Sequence, residues 1–161
     1  MKKLLLLFFG TILTMNCYSQ ISFEKGYYIN NSDQKIECLI KNLDWDNNPI
    51  DFKYKLSENS ESKNTNSKAV KEFGIYNVSK YISRRVKIDT SSEKFSDLSN
   101  EKNPIFKEEQ LFLKVLVEGK SNLYKYTTSN FTRYFYTIGN SNIEPLIYKT
   151  FKTSNNKIGK N

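Results

Sequence analysis

The chain contains no histidine, and that absence closes more chemistry than any residue present opens. Without imidazole there is no Ser-His-Asp or Cys-His relay, no imidazole general base and no His-liganded metal. Cysteine is nearly as scarce, with Cys17 and Cys38 the only two among 161 residues. Once the leader described below is removed, Cys38 stands alone. The mature chain then has no internal disulfide and too few thiolates for a zinc site. Its folding therefore relies on packing. No apolar run reaches the roughly 20 residues of a comfortable membrane span, no block of five or six like charges occurs, and no repeat of 20–50 residues is evident.

What is present begins with a leader. Lys2 and Lys3 form a positive n-region, and Leu4 to Met15 are apolar apart from Gly10, Thr11 and Thr14. The polar stretch Asn16 to Gln20 then offers a cleavage site, so residues 1–20 read as a secretory signal peptide. Two alternatives stand beside this: a retained anchor, and a lipoprotein acylated on Cys17. Thr14-Met15-Asn16 lacks the aliphatic-then-small pattern that lipidation sites favour. Membrane association is expected only if Cys17 is lipidated or the leader retained. Export to the periplasm, outer membrane or exterior follows, with a single β-rich domain over 21–152 and a polar tail over 153–161.

The net charge is +8, or +6 without Lys2 and Lys3. A basic surface attracts nucleic acid, anionic lipid or acidic glycan. Here the basic residues are scattered among acids, and nucleic-acid binding is not expected, because the basic stripe of such a footprint is missing. Glycan or envelope proteins are the partners this composition leaves open.

Period-two alternation dominates the body of the chain. Phe23–Asn30 and Lys35–Lys41 flank the turn cluster Asn31-Ser32-Asp33 and read as a hairpin. Ile36, Cys38 and Ile40 share its apolar face, so Cys38 reads as a small buried hydrophobe. In Ile50 to Leu56 every apolar residue falls on one side and every charge on the other. Ser57–Ser67 contains no apolar residue and reads as an exposed loop, Ala69–Ile75 as a short helix or turn, and Lys80–Ile88 as a strand with Arg84 on its apolar face. Thr90–Asn103 is polar, with Phe95 and Leu98 as tacks onto the body. From Glu109 a meander follows: Leu111, Leu113, Val115 and Val117 alternate, then come Leu123–Thr127, Thr132–Ile138 and Ile143–Phe151. About eight strands with little helix predict an all-β, mainly antiparallel sandwich, roll or small barrel. A transmembrane barrel fits less well, because these strands are short and two long polar loops interrupt them.

Three constellations could carry chemistry. Asp44, Asp46 and Asn48 have the one-three-five spacing that opens a calcium loop, but Pro49 and Lys55 stand where that loop needs Gly and Glu. A turn with side chains bonded to local backbone is the better reading, and no metal or other cofactor is expected. Trp45 lies between the two carboxylates, an arrangement also compatible with carbohydrate chemistry. With Leu43 it reads more simply as a cover over the edge of the core. Gly119-Lys120-Ser121 resembles the end of a phosphate loop, yet Lys114 occupies the first glycine's place and a strand-like Asn122 to Tyr126 replaces the helix. A hairpin with Gly119-Lys120 as a two-residue type II′ turn fits instead. It pairs Val115 with Tyr124 and Leu113 with Tyr126, and makes Lys114 and Lys125 neighbours on the wet side. Trp45, Tyr124, Tyr126, Tyr134 and Tyr136 form the candidate contact surface, and no catalytic residue is assigned.

The segments KGYYINNSDQKIECLIKNLDW, KEFGIYNVSKYI and PIFKEEQLFLKVLVEGKSNLYKY resemble uncharacterised secreted proteins of Bacteroidetes, especially flavobacteria, over nearly all of the mature chain. The resemblance implies an envelope or secreted protein of such Gram-negative bacteria, and β domains that can precede an outer-membrane barrel. Some of these relatives carry a "tRNA modification GTPase" name, which the missing phosphate loop does not match. The expectation is an exported, non-enzymatic β module that binds or builds. The alternatives are a carbohydrate-active enzyme using Asp44 and Asp46, or a lipocalin-like carrier.

Overall fold

The computed structural model describes residues 22–155 and 157–161. The expected signal peptide, Cys17 included, lies outside the described residues. Strand accounts for 55% of the structure and helix for 2%, so nearly all of the regular structure is β.

The first strands form where alternation is cleanest. β1 (Phe23–Asn30) and β2 (Lys35–Lys41) pair antiparallel with Gly26 opposite Cys38. Their turn closes as its residue types require. Asp33 takes a left-handed φ of 61°, and the Asn30 side-chain oxygen accepts the Ser32 and Gln34 N–H groups. β3 (Asp51–Lys55) pairs with β2 and with β4 (Lys63–Asn66). β4 corrects the exposed-loop expectation for Ser57–Ser67: pairing with β3 supplies the order that Lys-Asn-Thr-Asn side chains alone would not. β5 (Val70–Ile75) corrects the short helix or turn. It is a strand between β1 and β6 (Ser79–Asp89), whose ladders on both sides override its weak local pattern. A single 3₁₀ turn, Phe95–Asp97, lies in the polar stretch that follows. Leu98 there is buried as expected, whereas Phe95 is exposed.

The meander is β7 (Phe106–Val117), β8 (Ser121–Thr127), β9 (Thr132–Ile138) and β10 (Glu144–Leu146). Val115 faces Tyr124 and Lys114 faces Lys125, as the hairpin reading requires. The turn itself differs. Three residues, Glu118 to Lys120, connect the strands, the register shifts between Val115 and Val117, and Gly119 is not left-handed. Leu116 is thus a bulge, which absorbs the residue that a two-residue type II′ loop would have had to omit. The predicted strand Ile143–Phe151 is broken: after β10 the chain leaves the sheet, and β11 (Thr150–Lys152) pairs with β12 (Ile158–Lys160) inside the expected tail.

Ten strands lie in one antiparallel sheet, ordered β10-β9-β8-β7-β6-β5-β1-β2-β3-β4, curled into a half-barrel. This count exceeds the eight expected because β4 and β5 owe their order to neighbouring ladders rather than to a local pattern. The two halves of the sheet bury opposite faces. Cys38, Ile40, Phe52, Phe73, Ile75, Tyr81 and Phe112 pack together in the N-terminal half. Ile82, Val86, Ile88, Leu111, Leu113, Tyr124 and Phe135 pack together in the C-terminal half. Along β6 and β7 the adjacent residues Tyr81 and Ile82, and Phe112 and Leu113, project to opposite sides, one into each core. These two strands are therefore the common wall, apolar on both faces where the cores overlap. Cys38 is in the N-terminal core, where burial pushes its thiol up to about 12 and keeps it protonated. Gly26 lies so close to the backbone of Gly74 that no β-carbon fits between them.

Both sheet edges are blunt. β4 is four polar residues, and β10 is three residues with Pro145 in the middle, so neither offers a long ladder to another chain. Among the described residues no helix is long and apolar enough to cross a membrane.

Candidate functional site

The segment between β2 and β3 carries the acidic candidates, and the structure separates their roles. The Asp44 N–H is accepted by the Asn42 side-chain oxygen, with φ at 45°, so this is the side-chain-bonded turn expected. Asn48 is buried and works as a wedge. Its Nδ2 donates to Phe112 O at 2.7 Å and Lys125 O at 2.9 Å, and its Oδ1 accepts Thr127 N–H at 2.9 Å. The Phe112 carbonyl and the Thr127 N–H lie just beyond the last paired residues of β7 and β8, Lys114 and Lys125, so the amide replaces the missing ladder rung. A side chain so committed to backbone does not present the trio as a ligand set, and no group of three acidic or thiol side chains suited to a metal occurs among the described residues. Replacing Asn48 with Ala leaves these groups unpaired at about 1–3 kcal/mol each. Urea unfolding of the variant is expected to show a loss of at least about 3 kcal/mol.

The five aromatic candidates do not form one surface. Trp45 packs edge-on against Phe73 and Tyr81, at 5.8 and 5.7 Å between ring centres, and so covers the N-terminal core as predicted. Leu43 beside it is exposed. Tyr124 is buried in the C-terminal core, and Tyr126 packs on that core from the same face of β8. Tyr134 and Tyr136 project from the opposite face of the sheet, because they are register partners of Lys125 and Leu123 rather than of the core residues. This corrects the combined surface: only Tyr134, Tyr136 and the rim of Trp45 are on the open side.

On that open side the register builds a row across four strands, Lys114, Lys125, Tyr134 and Leu146, which continues on β6 into the buried Tyr81. Lys114 and Lys125 are directly opposed and half-buried. Among the described residues neither ammonium has a carboxylate oxygen within 4.0 Å, although five other basic residues do. Opposed like charges cost about 0.2–1 kcal/mol in a sheet. Among the described residues no carboxylate offsets that here. At one end of the row a cleft of about 240 Å³ is lined by Asn42, Asp44, Trp45, Ser79, Tyr81 and Lys114. Toward the other end Tyr134 and Leu146 are exposed.

The other face of the N-terminal half carries a larger open cleft, about 650 Å³, whose charges are matched internally. The Tyr27 hydroxyl donates to Glu72 at 2.6 Å, and Lys80 lies 3.5 Å from Glu72 and 2.7 Å from Glu118. Burial, together with the bond to Glu72, pushes the Tyr27 hydroxyl far above the usual tyrosine range. The Lys35 ammonium lies 4.4 Å from the centre of the Tyr27 ring and donates to the Tyr76 hydroxyl, which in turn donates to Glu37. Each polar group in this cluster already has its partner, so the cluster fastens β1, β2, β5 and β6 to one another.

A buried ion pair went unnoticed in the sequence. Arg133 is 6% exposed and Asp89 is 5% exposed. Arg133 Nε donates to Asp89 O, Nη2 to Asp89 Oδ2 and Ser91 O, and Nη1 to Glu93 and Thr132 O. Asp89 Oδ1 accepts from Ser91 N–H, the Ser91 hydroxyl and Ile105 N–H. Burial works to raise the Asp89 carboxyl, but these bonds and the guanidinium hold it below the ordinary aspartate value. The available signal was parity: Arg133 shares its side of β9 with Phe135, a charge in an apolar register.

No protein-family model matches the chain, and comparisons with curated proteins and with solved structures likewise give no match.

Proposed function

We propose that this chain is an exported, non-enzymatic β module of the bacterial cell envelope that binds its partner through the open face of the C-terminal half. The observation that carries the reading is the Lys114–Lys125 pair, opposed across β7 and β8 without a counter-charge among the described residues and flanked by Tyr134. A like-charged pair that weakens the sheet and has no counter-charge among the described residues is the kind of local conflict expected at a contact site. Export rests on the leader-like residues 1–20 and on the resemblance to secreted proteins of Bacteroidetes.

The carbohydrate-active alternative draws on Asp44, which lines the cleft with Trp45 and Lys114. Weighing against the lipocalin-like carrier is the aromatic stack of Phe52, Phe73, Phe112 and Tyr81, which occupies the N-terminal interior. Lys120 lies in the connection between two strands, which is why the GTPase name is set aside.

Fractionation of expressing cells with mass determination of the mature N-terminus tests the address. The expected result is a chain beginning near residue 21 in the envelope or medium. A diacylated Cys17 at the terminus shows a lipoprotein, and a full-length chain confined to the cytoplasm overturns export.

A further inference from the structure

We infer that the open face takes an acidic glycan, a chain of carboxylated or sulfated sugars, with its anionic groups on Lys114 and Lys125 and its rings along Tyr134 and the Trp45 cleft. This names the ligand class for the contact face proposed above and rests on that reading.

The charge argument comes first. Lys114 and Lys125, half-buried residues that the β7–β8 ladder sets directly opposite one another, bring two positive charges to the same side of the sheet. The Lys125 carbonyl is itself tied to the Asn48 side chain, which holds that part of β8 in place. A ligand with negative groups relieves the repulsion on binding more than the screening by water and salt does.

Shape and lining then select among anions. From Lys114 to Leu146 the row crosses four strands, about 14 Å at the usual strand spacing. It is an open face rather than a closed cavity, which suits an extended polymer. Its aromatic neighbours, Tyr134 and, one rung along, Tyr136, offer ring surfaces beside the charges, against which the apolar faces of sugar rings can lie. The cleft next to Lys114 adds Asn42, Asp44 and Ser79, donors and acceptors suited to hydroxyl groups. An anionic bilayer is the poorer fit, because Asp44 lies at one end of the row and Glu144, partner of Tyr136, near the other. A planar sheet of negative charge would meet both, while a glycan with spaced charges need not. Nucleic acid would call for a longer basic track than two lysines.

The test is titration of the mature exported protein with polygalacturonate, chondroitin sulfate, neutral dextran, phosphatidylglycerol vesicles and a single-stranded oligonucleotide. Binding is expected to at least one acidic glycan and not to dextran, and to weaken with added salt. The double variant Lys114→Gln/Lys125→Gln is expected to lose affinity about tenfold or more, with a melting temperature equal to or above that of the parent. Lys114→Arg/Lys125→Arg keeps the charge and must keep binding, which separates lost contact from lost folding. Undiminished glycan binding by the Gln pair overturns the inference, as does binding to none of the five probes. Binding to vesicles or oligonucleotide alone also overturns it, yet leaves the binding-module reading standing. New reducing ends that depend on Asp44 or Asp46 would do the converse, keeping the glycan and overturning the non-enzymatic reading.

Discussion

Replacing Arg133 with Met is expected to remove about 3–5 kcal/mol of stability, the usual cost of stranding one member of a buried ion pair. Met retains much of the volume, so the loss is electrostatic. Asp89 would keep its bonds from Ser91 and Ile105 but lose the guanidinium, and the carbonyls of Asp89, Ser91 and Thr132 would lose their donor. Because Arg133 also reaches Glu93, the stretch after β6 would detach from the C-terminal core. Urea unfolding followed by tryptophan fluorescence reads the midpoint, and an unchanged midpoint would show that the pair contributes nothing. The pH dependence gives a second readout. The Asp89 carboxyl is held below its unfolded value, so its contribution is complete above the ordinary aspartate pKa near 4 and disappears as pH falls through the lower folded value. Parent protein is therefore expected to lose stability progressively below about pH 4. The Met variant should lose less over the same interval, since the guanidinium that helps depress the carboxyl is gone.

Phe73→Ala is expected to cost about 3–5 kcal/mol, the range for emptying a fully buried phenylalanine site. Phe73 is 0% exposed and lies at the centre of the aromatic cluster. It stacks on Phe52 at 4.0 Å and on Tyr81 at 4.9 Å, and meets Phe112 edge-on at 4.8 Å. The four residues come from β3, β5, β6 and β7, so the cavity would open between strands that are not all neighbours and collapse poorly. Ile50→Ala is the control. Ile50 belongs to the same alternating run as Phe52 but is 81% exposed, and its replacement should change stability by no more than about 0.5 kcal/mol. Equal effects at the two positions would mean that burial does not govern them.

That contrast shows what was legible before folding. Period-two alternation located β1, β2 and β9 with the boundaries observed, because each has an unambiguous apolar face and a turn of Asn, Ser, Asp or Gly beside it. It failed at β4 and β5, where order comes from the neighbouring ladder. The alternation in Ile50–Leu56 did not reveal that its ends, Ile50 and Leu56, project past the sheet into solvent. The candidate site divides in the same way. Lys114 and Lys125 were placed side by side from turn position alone. Their lack of a counter-charge, and the return of the 42–48 segment to form a cleft beside them, required the fold.

The sequence by itself determined that imidazole chemistry is closed to the chain, that the body is β, and that Gly119-Lys120-Ser121 belongs to a hairpin. Each of these depends on residue identity or on contacts local in the chain. Only the tertiary structure decided which faces are inside. A strand pattern states that two sides differ, but the curl of the sheet reverses the buried side between its halves, so Phe112 and Leu113, adjacent in β7, enter different cores. It also decided that Arg133 and Asp89, 44 residues apart, neutralise one another. Long-range pairing of that kind is set by how strands stack in space, and no local periodicity records it.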